Sequence, residues 1–112
     1  MPKSYSKNKG TAGMDKVEVI DKLKEYKILL LKYFDVDKIY LFGSFARGTN
    51  NQDSDIDVAV VVNNMKYDYL TASPMLWKLR RNIDLRIEPL LFEKNLDSSG
   101  FLDEIKRYGI EI

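Results

Sequence analysis

Along the chain, Val17, Ile20, Leu23, Leu30, Leu31 and Phe34 recur near helical spacing, with lysines and glutamates between them. The pattern predicts a helix from Asp15 to about Phe34, opened by Asp15 and Glu18 as a capping box and closed before Asp35-Val36-Asp37. The period then changes. Ile39-Tyr40-Leu41-Phe42 and Val58-Ala59-Val60-Val61-Val62 are short β-branched and aromatic runs bounded by turn residues, the pattern of buried strands. Beyond the Asn63-Asn64 turn, Leu70, Met75, Leu76 and Leu79 restore a helical face. It is firmest from Pro74 to Arg81, with Ser73 as cap, because proline is best tolerated in a first turn. Trp77 is read as core, the usual use of so large an apolar surface, ahead of the alternative of an exposed ring that stacks on a base or a partner, and Lys78, Arg80 and Arg81 form a basic cluster that fits a triphosphate, an acidic partner or a solvated helix end. Alternation returns at Ile83–Glu88: Asp84, Arg86 and Glu88 share one face, Leu85 and Ile87 the other. Pro89 then bends this strand or makes it an edge. Glu93 to Gly100 is a loop, and Ser99 caps a last helix from Gly100 to Tyr108 whose Phe101, Leu102 and Ile105 point inward. Gly109 stands as its C-cap, with Ile110 as the apolar contact behind it.

Composition narrows the picture. The 112 residues, 45% hydrophobic and 31% charged, suit one compact domain over residues 14–112. Residues 1–13, with Lys3, Lys7 and Lys9 and no acidic side chain, read as a disordered tail. A net charge of +1 gives no global basic field, so nucleic acid is unsupported as a partner. The absence of cysteine removes disulfides, thiolate metal sites and thiol catalysis, and the absence of histidine removes the commonest general base. Acid–base work is left to carboxylates. No apolar run nears the roughly 20 residues of a membrane span, and no secretory signal opens the chain, so the cytoplasm is the expected location.

The unusual chemistry lies between the first two strands, from Gly43 to Asp57. Period two puts Asp55 and Asp57 on one face of the second strand while Ile56 and Val58 turn to the core. Like charges this close call for a proton or a cation, and paired carboxylate oxygens suit Mg²⁺. Gly43 allows close backbone approach to a phosphate, Ser44 offers a hydroxyl, and a short turn from Phe45 to Arg47, ended by Gly48, aims free amides at an anion. The fork of Arg47 fits either a phosphate or a carboxylate such as Asp53.

Gly43-Ser44, then Ala46-Arg47-Gly48, then Ser54-Asp55-Ile56-Asp57, set between two strands, resembles the signature of the DNA polymerase beta-like nucleotidyltransferases, and the short chain resembles their minimal members. The resemblance implies an α+β fold, a small mixed β-sheet backed by helices. It implies a third metal-binding carboxylate on a neighbouring strand, for which Asp84 is the candidate and Glu88 the reserve. Asp55, Asp57 and Asp84 would then hold two Mg²⁺ ions, with Gly43, Ser44 and Arg47 on the phosphates of ATP. Larger members carry further domains for the acceptor; here the acceptor is expected on a partner. Minimal members are often antitoxins that transfer AMP onto a tyrosine of a HEPN-domain toxin. A non-catalytic blocking module, and transfer to a small molecule or an RNA end, are the alternatives.

Overall fold

The computed structural model describes residues 16–51 and 53–112; the expected tail and Asp15, the expected cap, lie outside them. Helix α1 (Lys16–Leu30) is followed by strand β1 (Val36–Phe42), the single turn α2 (Ser44–Arg47), β2 (Ile56–Val62), α3 (Tyr69–Leu79), β3 (Ile87–Glu93), α4 (Phe101–Tyr108) and the short β4 (Ile110–Glu111). The strands form one mixed sheet in the order β3-β2-β1-β4, with β2 parallel to β3 and the other pairs antiparallel. The α+β expectation holds.

The stripe of α1 that is buried is Val19, Leu23, Tyr26 and Leu30, whereas Val17 and Leu31 face outward. Tyr26, which the apolar periodicity does not include, donates its hydroxyl to the Leu76 carbonyl at 2.7 Å and so enters the core satisfied. The helix stops at Leu30, and a turn carries the chain to buried Phe34. Helix α3 begins five residues earlier than proline placement suggests. Asp68 accepts from the Thr71 amide at 2.8 Å as its cap, and Pro74 lies inside the helix.

Alternation along the strands splits the sheet into two faces. Ile39, Leu41, Ile56, Val58, Val60, Val62, Ile87 and Leu91 join α1 and α3 in the main core. Tyr40, Ala59 and Val61, flanked by Phe42 and Phe92, meet Leu102 and Ile105 of α4 on the other. Phe101 is not inward but 42% exposed, edge-on to Phe42 and Phe92. The first amides of α4 are capped by the loop before it, Leu102 donating to Asp97 at 2.7 Å and Phe101 to Ser99 at 3.1 Å. At its end the Gly109 amide donates to Ile105, and Ile110 goes on to pair with Leu41.

The strand expected at Ile83–Glu88 lies instead at Ile87–Glu93. A 3-10 turn (Arg80–Asn82) and the turn after it fill residues 80–86: the amides of Ile83 and Asp84 donate to the Arg80 carbonyl and that of Ile87 to the Asp84 carbonyl. The Asp84 carboxylate accepts from the Arg86 amide at 2.8 Å, the local bond that makes Asp a turn residue. Alternation misled here because Leu85, counted as a core position, is exposed. Pro89 is accommodated at an edge, as expected, but with no bend: register runs unbroken through Asp57–Glu88, Val58–Pro89 and Ala59–Leu90. No helix among the described residues is long and apolar enough to cross a membrane.

Candidate active site

Gly43 links β1 to α2 at φ 74° and ψ −150°, a region that essentially only glycine occupies. A Cβ there would run into Asp57 Oδ2. Gly43 is therefore needed twice, for its backbone angles and because the Asp57 carboxylate rests against its Cα. The α2 turn closes at Gly48 in the left-handed region, with the Thr49 amide on the Ser44 carbonyl at 2.9 Å. Asn51 and Ser54 bracket the following loop: the Asn51 amide donates to Ser54 Oγ at 2.9 Å and the Asp53 amide to Asn51 Oδ1 at 2.8 Å. The chain then enters β2 with the Ile56 amide bound to the Arg86 carbonyl at 2.8 Å.

Asp57 lies on the α4 face of β2, and Asp55 stands one pleat earlier. Burial pushes the Asp57 carboxyl up, the Asp55 charge pushes it further, and the Arg47 guanidinium opposes both. Glu88 is the strand partner of Asp57 across the parallel pair. Its carboxyl is also raised, by desolvation first, then by the charge of Asp55 and a hydrogen bond shared with it, then by Asp57. The reserve residue thus joins the carboxylate pair.

Asp84 does not. Its side chain, 9% exposed, is ion-paired with Lys22 of α1 at 3.0 Å and with Arg86 at 3.4 Å. Burial alone would raise its carboxyl, but the Arg86 amide, the Lys22 ammonium and the Arg86 guanidinium outweigh that and hold it below the usual carboxylate range. Arg47, exposed, forms no ion pair with Asp53 among the described residues.

Two recesses share Phe42 in their lining. One, of about 410 Å³, is lined by Gly43, Ala46, Arg47, Phe101, Glu104 and Tyr108 among others. The second, of about 270 Å³, is lined by Phe42, Asp57, Trp77, Glu88, Pro89 and Leu90. Trp77, expected in the core, is 38% exposed at its rim. Arg80, three residues on and so a neighbour on the helix surface, stacks on the indole at 4.6 Å.

Among the described residues no three carboxylates converge into a closed metal cage. Mg²⁺ does not require one, since it takes one or two carboxylates and completes its shell with water and substrate phosphates. The all-oxygen set of Asp55, Asp57 and Glu88, with mutual repulsion that a cation would relieve, fits that ion.

Comparison with known proteins gives this geometry a lineage. The chain is 32% identical over 102 residues to the Methanocaldococcus jannaschii protein named "Putative protein adenylyltransferase MJ0141", covering 86% of this chain and all of the relative. The fold is shared with a crystal structure titled as a "putative nucleotidyltransferase" from Sulfolobus solfataricus (TM-score 0.63, 22% identity, 86% of this chain and 80% of that one). It is shared also with a chain from the structure of tri-AMPylated Shewanella oneidensis HEPN toxin in complex with MNT antitoxin (TM-score 0.54, 23% identity, 84% and 70%). The nucleotidyltransferase domain model matches residues 16–111, and those residues carry the glycine turn and the carboxylates in their expected order, so the chain belongs to the nucleotidyltransferase domain family.

Proposed function

We propose that this nucleotidyltransferase transfers AMP from ATP to a tyrosine hydroxyl of a partner HEPN toxin, and so acts as its antitoxin in the cytoplasm. The observation that carries the reading is the placing of Asp57, seated against Gly43, with Glu88 as its strand partner and Asp55 two residues before it. The adenylyltransferase name of the archaeal relative and the AMPylated toxin in the structural likeness support the donor and the partner.

Gly43, Ser44 and Arg47 hold the triphosphate, the Arg47 guanidinium forming no ion pair among the described residues while its charge already acts on Asp57. Asp55, Asp57 and Glu88 would be the oxygen ligands for two Mg²⁺ ions, with Asp84 in a positioning role. Bound there, Mg²⁺ supplies neutralisation of charge on the transferred phosphoryl group. Holding the leaving pyrophosphate on the Gly43 side requires the acceptor hydroxyl to approach from the opposite, β3 side, because the displacement is in line. Lys22, Asp84 and Arg86 fix the turn that delivers Glu88.

The test is the intact mass of the HEPN partner after incubation with ATP and Mg²⁺. Whole AMP units on the partner, absent with an Asp55→Asn/Asp57→Asn variant that still binds it, are the expected result. Full neutralisation of the toxin by that variant would instead establish a blocking module.

A further inference from the structure

Phe42 lines both recesses, and the carboxylates border the second of them: Asp57, whose side chain rests against Gly43, lines it together with Glu88, its strand partner. The recess on the Glu88 side has an uneven lining. Phe42, Trp77, Pro89 and Leu90 make apolar walls, while Asp57 and Glu88 are the polar groups. Trp77 is held in place rather than loosely exposed. Arg80 stacks on it, and the same guanidinium donates to the carbonyls of Leu85 at 2.6 Å and Ile87 at 2.9 Å, which tie it to the start of β3. An indole braced in this way offers a contact surface whose ordering cost is met in the fold.

Resting on the nucleotidyltransferase reading, we propose that this recess is the acceptor subsite, and that Trp77 selects a protein tyrosine by packing on its phenol ring while the hydroxyl points to the carboxylates. A serine or threonine would reach the carboxylates but leave Trp77 and Leu90 uncovered. The phosphates of an RNA end would be repelled by Asp57 and Glu88. In the transfer, the tyrosine Oη–Pα bond forms as the Pα–O bond to pyrophosphate breaks, and the phenol proton leaves to solvent. Trp77 takes no part in bond making; it determines which hydroxyl arrives.

The chain has a single tryptophan, so its fluorescence reports directly on this recess. Full-length protein is titrated with a short tyrosyl peptide, its seryl counterpart and an oligoribonucleotide, with ATP and Mg²⁺ omitted. Saturable change with the tyrosyl peptide, at least about tenfold weaker with the seryl one, is expected from stacking together with aromatic burial. In parallel, transfer assays on Trp77→Leu would show KM for the tyrosyl acceptor raised about tenfold with a much smaller change in kcat, and Trp77→Phe would recover most of the loss. Transfer to tyrosine without any Trp77 response, equal response to serine, or response only to RNA would each overturn the subsite while leaving nucleotidyl transfer intact. A saturable tyrosyl response without transfer would keep the subsite and sink the catalytic reading.

Discussion

One acid, Asp84, and a group of three, Asp55, Asp57 and Glu88, lie near the turn leading into β3, and their surroundings are built on opposite principles. Asp84 is surrounded by donors: an ammonium, a guanidinium and a backbone amide satisfy its charge. Asp55, Asp57 and Glu88 face one another, so that Asp57 and Glu88 are raised where Asp84 is lowered. The first arrangement stabilises the native chain. The second stores repulsion that only a cation or a proton relieves, and perturbed carboxylates gathered at a cleft mark chemistry. Four acidic residues of the same two types therefore divide by surroundings into a structural tie and the proposed reactive site.

Exchanging roles breaks the comparison most sharply in activity. Asp57→Asn and Glu88→Gln each remove charge from the cluster; several kcal/mol of lost phosphoryl stabilisation corresponds to at least roughly 10²–10³-fold in kcat/KM. Asp84→Asn, assayed beside them for AMP transfer, is expected to stay within about threefold, the difference being well under 1.4 kcal/mol. Equal losses in all three would return Asp84 to the metal site.

Stability sorts the same residues the other way. Gly43→Ala strains the backbone by about 1–3 kcal/mol and displaces Asp57, so denaturant unfolding and transfer rate should both fall. Asp84→Ala should cost about 1–3 kcal/mol in the same unfolding experiment, since it orphans partly buried donors. Glu88→Gln should be neutral or stabilising.

Mg²⁺ sharpens the contrast. At tenfold its Kd the ion adds about 1.4 kcal/mol, an upward shift in Tm of roughly 5–10 °C for a chain of this size. Calorimetry should find that shift in the native protein and in Asp84→Asn, and lose most of it in Asp57→Asn. The smallest effect is the pH dependence, and its sign differs between Asp84 and the group of three. The Asp84 contribution is full above the ordinary carboxylate value, about 4, and disappears as pH falls through its lowered folded value. Asp57 and Glu88, being raised, hold protons more tightly in the native state, so stability falls as pH rises from about 4 through their folded values. Urea midpoints across that range, with and without Mg²⁺, resolve the two slopes.

What could be read in advance follows the range of the interactions involved. The glycine turn, the strand that carries Asp57 and the inward Ile56 and Val58 are set by neighbours in sequence. Glu88 depends on where β3 starts, and that depends on pairing with β2 thirty-one positions away. The Asp84 turn imitates strand alternation, and only the exposure of Leu85 against the burial of Ile87 tells them apart. Pro74 drew the expected start of α3 away from Asp68, whose bond to Thr71 decides it. Trp77 was misplaced for a similar reason: Arg80, one turn on, is turned toward the β3 carbonyls, a contact invisible to helical periodicity.

The outer rim of β3 carries one more consequence. An edge strand ordinarily invites another chain to extend the sheet. Here the outward amide of Ile87 is taken by Asp84, its carbonyl by Arg80, and Pro89 has no amide to give. The stretch beside Glu88 is thereby closed to sheet extension, in aggregation as in docking. A protein acceptor of the kind proposed above would therefore present its side chain from a protruding loop or helix face, without adding a strand beside Glu88.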